Sequence, residues 1–335
     1  MAKQTCSIES NARDKNLTGL PDNMEDCRLG SLEAQEFIAT NPASAVLPPN
    51  GSIIQQIRRD STEFFHPRAD RALSLYNVSV SETIISGIRC LELTPNISKI
   101  HGIVLHCFGG GFVCGSPSED LVLAAPICKY SGTKMVLPEY RLSPENPWPA
   151  AMDDCFTVYR ELQNYSSDIP LAISGDSAGG NLALAIALRA HRENIAAPVA
   201  LALLSPWCDL TNQGGSLSNN DGRDPTLTRA WVLAATQLYA PRENLSHPTI
   251  SPIFDSYPTG FPPVMITTGT RDLLMSQSIG LAKRLRDASV ECEIRIWDNL
   301  WHVFEYYDEL PESKTSLQEI ARFLSTRLKS DDRAC

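Results

Sequence analysis

The chain has 335 residues, 43% of them hydrophobic and 20% charged, so it has ample apolar material for a core and, by length, room for about two domains or one large α/β unit. Its 39 acidic residues outnumber 29 Lys and Arg, a net charge of −10 with no basic run, which lacks the footprint for binding nucleic-acid backbones or anionic membranes. No apolar stretch is long enough to span a bilayer, the N-terminus has no apolar signal-peptide core, and the ten cysteines include no Cys-x-x-Cys pair, so the expectation is a cytoplasmic protein with reduced thiols and no metal.

Residues 1–75 are polar, loop-prone and weakly periodic. From about residue 78 short β-rich runs alternate with helical stretches, the rhythm of a mostly parallel sheet covered on both faces. The runs are Val78–Ile85, Gly87–Leu93, Gly102–Phe108, Lys134–Tyr140, Leu171–Ser174, Val199–Ser205, Val264–Thr268 and Cys292–Trp297. The first two, joined through Ser86-Gly87, predict an antiparallel hairpin. Helices are predicted at Ala178–Arg192, apolar nearly all round, and at Ser276–Ala288 and Glu312–Leu328, both amphipathic. The segment Cys208–Pro263, with a Gly/Asn/Asp-rich loop and a helix near Thr228–Leu238, is too long for a simple crossover and reads as a lid insertion.

Three signals carry chemistry. Gly175-Asp176-Ser177-Ala178-Gly179 follows a strand run and opens a helix, the context in which Gly-x-Ser-x-Gly forms a nucleophile elbow, with the Ala178 amide facing a developing oxyanion. Gly109-Gly110-Gly111-Phe112 ends another strand run. Cys114 stands where a dinucleotide-binding loop needs its last glycine, so an oxyanion loop with Gly109 and Gly110 as donors is the better expectation. A serine nucleophile also needs a histidine and a carboxylate. Of six histidines only His302 lies beyond the last strand run, and Asp272 follows the preceding one, with Asp209 as the competing acid. The order Ser177…Asp272…His302 is the one expected of α/β-hydrolases. Phe112, Trp231 and Phe254 are candidates for an apolar substrate pocket.

With these residues, and with Tyr140-Arg141-Leu142-Ser143-Pro144-Glu145, Pro149-Ala150-Ala151, Ser205-Pro206-Trp207-Cys208-Asp209 and Asp224-Pro225-Thr226-Leu227-Thr228, the chain resembles the hormone-sensitive-lipase-like branch of α/β-hydrolases from about residue 100 to 328. The resemblance implies an α/β-hydrolase fold with a mostly parallel eight-stranded sheet, a cap made by residues 1–75 and the 208–263 lid, and a catalytic domain over 76–335. It implies a serine carboxylesterase acting on short or medium acyl groups, acetyl among them, through an acyl-enzyme and without a cofactor. The partners implied are a small-molecule ester and at most a second copy of the chain as a homodimer, with no nucleic acid and no membrane span. One position departs from the family: Phe108 stands where the oxyanion loop normally has histidine. His106, two residues earlier, is expected to share the face of Phe108 and to be a satisfied structural histidine. Two other classes remain open, a non-hydrolytic cyclase or lyase of natural-product biosynthesis and a ligand receptor on the same scaffold.

Overall fold

The computed structural model describes residues 30–42, 48–165 and 169–329. Residues 1–29, with Cys6 and Cys27, and Cys335 at the other end lie outside them. The described cysteines are all free thiols, and among the described residues no helix is long and apolar enough to cross a membrane.

Eight strands make one sheet: β1 (Val78–Ile85), β2 (Ile88–Pro95), β3 (Ile103–Cys107), β4 (Lys134–Pro138), β5 (Leu171–Asp176), β6 (Leu201–Leu204), β7 (Val264–Gly269) and β8 (Cys292–Trp297), in the order β1-β2-β4-β3-β5-β6-β7-β8. The β1–β2 hairpin turns at Ser86 and Gly87, whose φ values of 47° and 83° suit the twist of an antiparallel pair. β2 also runs antiparallel to β4, and every later pairing is parallel. The continuously apolar runs became the central strands: β3, β5, β6 and β7 are buried along their whole length.

Helices cover both faces. α4 (Ala150–Tyr165), α5 (Ala178–Arg192) and α8 (Met275–Asp287) pack on one side, where Ile103 and Leu105 of β3 point. α3 (Leu121–Ser131) and α9 (Pro311–Leu328) pack on the other, where Val104 points. Burying each such Leu or Ile is worth about 1.5–3 kcal/mol, and together they fix the sheet between its two helical layers.

The described part of the polar N-terminal stretch, expected to belong to the cap, holds α1 (Leu32–Thr40) and the long α2 (Ile54–Tyr76). α2 buries only Ile54, Ala69 and Ala72 along its length, so its apolar stripe is faint in the sequence. Polar ties hold it instead, Arg58 to Glu145 at 2.8 Å and Thr62 to Glu119 at 2.9 Å among them. One expectation fails: His106 and Phe108 do not share a face. β3 ends at Cys107, so strict alternation stops there: His106 faces Ser174 and Asp120, while the Phe108 ring lies flat on Tyr140 with centroids 3.8 Å apart.

Candidate active site

The parallel strands deliver four loops to their common carboxyl edge, where open α/β sheets bind ligands. The loop after β5 is the elbow. Ser177 adopts φ 50°, ψ −115°, a conformation that costs a non-glycine residue about 1–3 kcal/mol and aims Oγ away from the sheet. The flanking glycines are steric necessities: a Cβ on Gly179 would stand 1.8 Å from the Cys107 carbonyl oxygen, and one on Gly175 2.4 Å from that of Gly179. α5 starts at Ala178, so its first amides are free of intrahelical partners at the elbow.

His302 arrives on the loop after β8. Its Nε2 lies 2.9 Å from Ser177 Oγ, and its Nδ1 lies 3.0 Å from Oδ1 of Asp272, which follows β7. Asp272 is fully buried and held on both oxygens: Oδ1 accepts from the Leu274 amide at 2.8 Å and Oδ2 from the Thr268 hydroxyl at 2.8 Å. Burial would raise its carboxyl, but the His302 charge and hydrogen bond, with the Leu274 amide, outweigh it and hold the group below the usual carboxylate range. Burial likewise disfavours imidazolium at His302, yet the Asp272 charge prevails and the imidazole stands above its ordinary value. The three predicted residues thus meet in hydrogen-bonding order. Asp209 does not join them; its Oδ1 accepts from the Thr211 amide and hydroxyl within its own turn.

Asp224, noted in the sequence only as part of the resemblance, holds the histidine loop. Its Oδ2 accepts from the His302 backbone N–H at 3.0 Å, and its Oδ1 accepts from the amides of Thr226 and Leu227. Next to His302, Val303 is forced to φ 45°, an outlier for a β-branched residue, and its amide donates to Ser205 Oγ at 3.1 Å.

The glycine loop after β3 corrects one expectation. Gly109 does not face the site: a Cβ there would lie 2.1 Å from Asp176 Oδ2, and its backbone N–H interacts with the buried Asp120 carboxylate. The strand has ended at Cys107, and the positive φ values of Gly110 (95°) and Gly111 (60°) swing the next two residues outward instead. Gly110 and Gly111 line a cavity of about 330 Å³ with Ser177 and His302. Ser177, 8% exposed, is reached from this cavity.

Of the three pocket candidates, Trp231 lines the cavity, from α7 (Arg229–Tyr239); its ring lies so close over Gly111 that a Cβ there would be 2.4 Å away. Phe112 does not. It is fully buried and stacked on Tyr239 at 3.7 Å, because its φ of 64° turns the side chain under the lid helix. Phe254 does not either; its ring lies 5.7 Å from the Arg284 guanidinium of α8. Sequence reading missed the opposite wall, made by Phe37, Phe64 and Phe65 of the N-terminal helices with Tyr306 and Tyr307 beyond His302. Phe37 stacks on Trp301, next to His302, with centroids 4.5 Å apart. The only hint was the aromatic content of a stretch whose periodicity is weak. A larger depression of about 710 Å³ lies behind the glycine loop, but it does not reach Ser177, and its Arg58, Arg89 and Arg141 are each paired with a carboxylate.

Phe108 fills space under the glycine loop, and the stacked Tyr140 donates its hydroxyl to the Phe108 carbonyl oxygen at 2.8 Å, a brace that needs no histidine. Phe108→His should therefore change kcat on an acetyl ester less than about tenfold, or roughly 1.4 kcal/mol in barrier. It should lower stability, since a polar ring replaces an aromatic stack. A rise in turnover of two orders of magnitude would show instead that the phenyl ring distorts the loop.

A family model described as the alpha/beta hydrolase fold matches residues 104–306. An esterase of Acinetobacter venetianus is 29% identical over 252 residues, covering 74% of this chain and 82% of its own. An acetyl-hydrolase of Streptomyces hygroscopicus is 28% identical over 264 residues, covering 78% and 88%. Among solved structures, the esterase EstE5 superposes with a TM-score of 0.81 at 26% identity over 89% of this chain and 99% of its own. A hormone-sensitive lipase from a metagenome library superposes at 0.79 with 30% identity over the same shares. With the family model matching more than half of its length, the chain belongs to the α/β-hydrolase fold family, in the hormone-sensitive-lipase-like branch of carboxylic ester hydrolases.

Proposed function

We propose that the chain hydrolyses esters of uncharged small molecules with short or medium acyl groups, through an acyl-enzyme on Ser177. The observation that carries this is the unbroken hydrogen-bonded line from Ser177 Oγ through His302 to Asp272, opening into a cavity walled by aromatic rings. His302 takes the Ser177 proton as Oγ attacks the carbonyl carbon. The tetrahedral oxyanion is held by the amides of Gly110, Gly111 and Ala178. Collapse of that intermediate expels the alcohol, protonated by His302. Water, deprotonated by the same imidazole, then attacks the acyl-enzyme and releases the acid and Ser177.

The helices α1 and α2 and the 208–263 segment act as the cap in this reading, since all contribute walls to the cavity. The cyclase, lyase and receptor alternatives lose ground to the intact triad, which a protein that forms no acyl intermediate has no need to keep. A panel of p-nitrophenyl esters from acetyl to palmitoyl tests the chain length. Turnover is expected to peak at acetyl to hexanoyl and to fall at least tenfold at palmitoyl, because a cavity of about 330 Å³ cannot enclose a long chain. A peak at palmitoyl would overturn the short-acyl assignment.

A further inference from the structure

Beneath the elbow a line of buried polar groups crosses the sheet edge. Tyr306 Oη lies 2.9 Å from Asp176 Oδ2 and 2.5 Å from Asp120 Oδ1. Asp120 Oδ2 lies 2.9 Å from His106 Nε2, and His106 Nδ1 lies 2.8 Å from Ser174 Oγ. The two gaps around Tyr306 each need a proton, and a phenol has one. The second must come from a carboxyl group. Asp120 is the better anion, because it also faces His106 and the Gly109 amide, whereas Asp176 Oδ1 is buried with no N–H or O–H donating to it, and the direct contact of the two carboxyls favours the charge on Asp120 and the proton on Asp176. An ionised Asp176 would leave that oxygen as uncompensated buried charge.

We propose that Asp176 is a neutral carboxylic acid in the working enzyme, a positioning residue whose O–H donates to Tyr306 and ties the nucleophile elbow to the histidine loop. Asp176 immediately precedes Ser177, and Tyr306 lies four residues beyond His302, so this bond spans the two halves of the catalytic pair. Tyr306 donates its own O–H to Asp120, which faces the oxyanion loop through Gly109, so three loops share one network. Neutrality also keeps a second negative charge away from the site where the oxyanion forms.

The groups facing Asp176 are His106 of β3, Asp120 at the start of α3, Tyr306 and the Gly109 backbone, with His302 and Tyr140 in electrostatic range. Their effects agree with the proton count. Burial and the Asp120 charge push the Asp176 carboxyl well above the ordinary range, against a smaller opposing effect of His106. Burial raises Asp120 to about 7 and lowers His106 to about 4, so His106 is neutral and Asp120 is the group that ionises first.

The proposal rests on the esterase reading for its kinetic consequence but not for its protonation state. Infrared difference spectra of wild type against Asp176→Asn at neutral pH should therefore show the C=O stretch of a protonated carboxyl that the variant lacks, with no substrate present. In hydrolysis of p-nitrophenyl acetate, Asp176→Ala should lose kcat by about tenfold or more, and Asp176→Asn, whose amide donates where the acid did, should recover most of it. The alkaline limb of the kcat profile should move upward by about one pH unit or more in Asp176→Asn, because the group that ionises is gone. Absence of the protonated-carboxyl band overturns the proposal, whether or not Asp176→Ala folds. So does an Asp176→Asn variant that is as slow as the alanine variant, or one that keeps the wild-type alkaline limb. Failure of the esterase reading itself would look different, as hydrolysis that does not depend on Ser177.

Discussion

Ser177→Ala is expected to reduce ester hydrolysis by roughly 10³-fold or more and to abolish labelling by a fluorophosphonate probe. In the proposed mechanism Oγ forms the covalent bond, and His302 Nε2 lies 2.9 Å away to take its proton. Losing a member of such a unit generally removes nearly all of the catalysis that the unit supplies. The fold should be indifferent, because Oγ faces the cavity rather than the core. A sharper form of the prediction uses the backbone. With φ 50° and ψ −115°, position 177 is strained for any residue with a Cβ, so alanine inherits the strain and glycine escapes it. Ser177→Gly should therefore be as inactive as Ser177→Ala and yet more stable, by about 1 kcal/mol, in denaturant unfolding. Residual hydrolysis above about a tenth of wild type in either variant would overturn the serine mechanism.

Asp272→Asn should be nearly as damaging, by about 10⁴-fold in kcat, for a reason of tautomers rather than nucleophilicity. The carboxylate is pinned by Thr268 on one oxygen and by Leu274 on the other, so it cannot rotate away from His302 Nδ1. An amide in its place can present a donor to Nδ1, which leaves the proton on Nε2, facing Ser177, where a base is required. The pH profile separates this from a loss of folding. In wild type the active imidazole is neutral, and Asp272 holds its pKa above the ordinary value of about 6.5. Activity should fall as pH drops through that raised value. Without the carboxylate charge and its hydrogen bond the burial effect is opposed only by smaller influences such as the Asp224 charge, so the acid limb of the residual activity should move to lower pH. Asp209→Asn serves as the control, expected to keep the wild-type limb; the reverse ranking of the two variants would transfer the acid role to Asp209.

The meeting of Ser177, Asp272 and His302 was legible in the sequence because its signals are local and ordered. An elbow serine needs small neighbours and a strand on one side and a helix on the other, all contiguous at 171–192. Asp272 and His302 each follow a strand run, so their positions in the topology follow from where the runs end. The central strands were legible for a related reason, since strands buried on both faces read as apolar runs whatever they pair with.

Other features depend on contacts between distant segments, and no local pattern encodes them. Gly109 and Gly111 are the same residue type two positions apart. Which of them faces the cavity depends on β3 ending at Cys107 and on Asp120 and Asp176 waiting below the loop. Phe112 and Trp231 are both aromatic residues near the site, but the stack on Tyr239 buries one while the lid helix lays the other over Gly111. The far wall of the cavity came from Phe37, Phe64 and Phe65, on helices held to the body by ion pairs and small buried residues, which leave little apolar periodicity. Asp176 is the clearest case. In the sequence it is one of the two variable letters of a five-residue motif. Only the tertiary structure places a tyrosine and a second carboxyl against it, and only that juxtaposition leaves one proton too few for both to be anions.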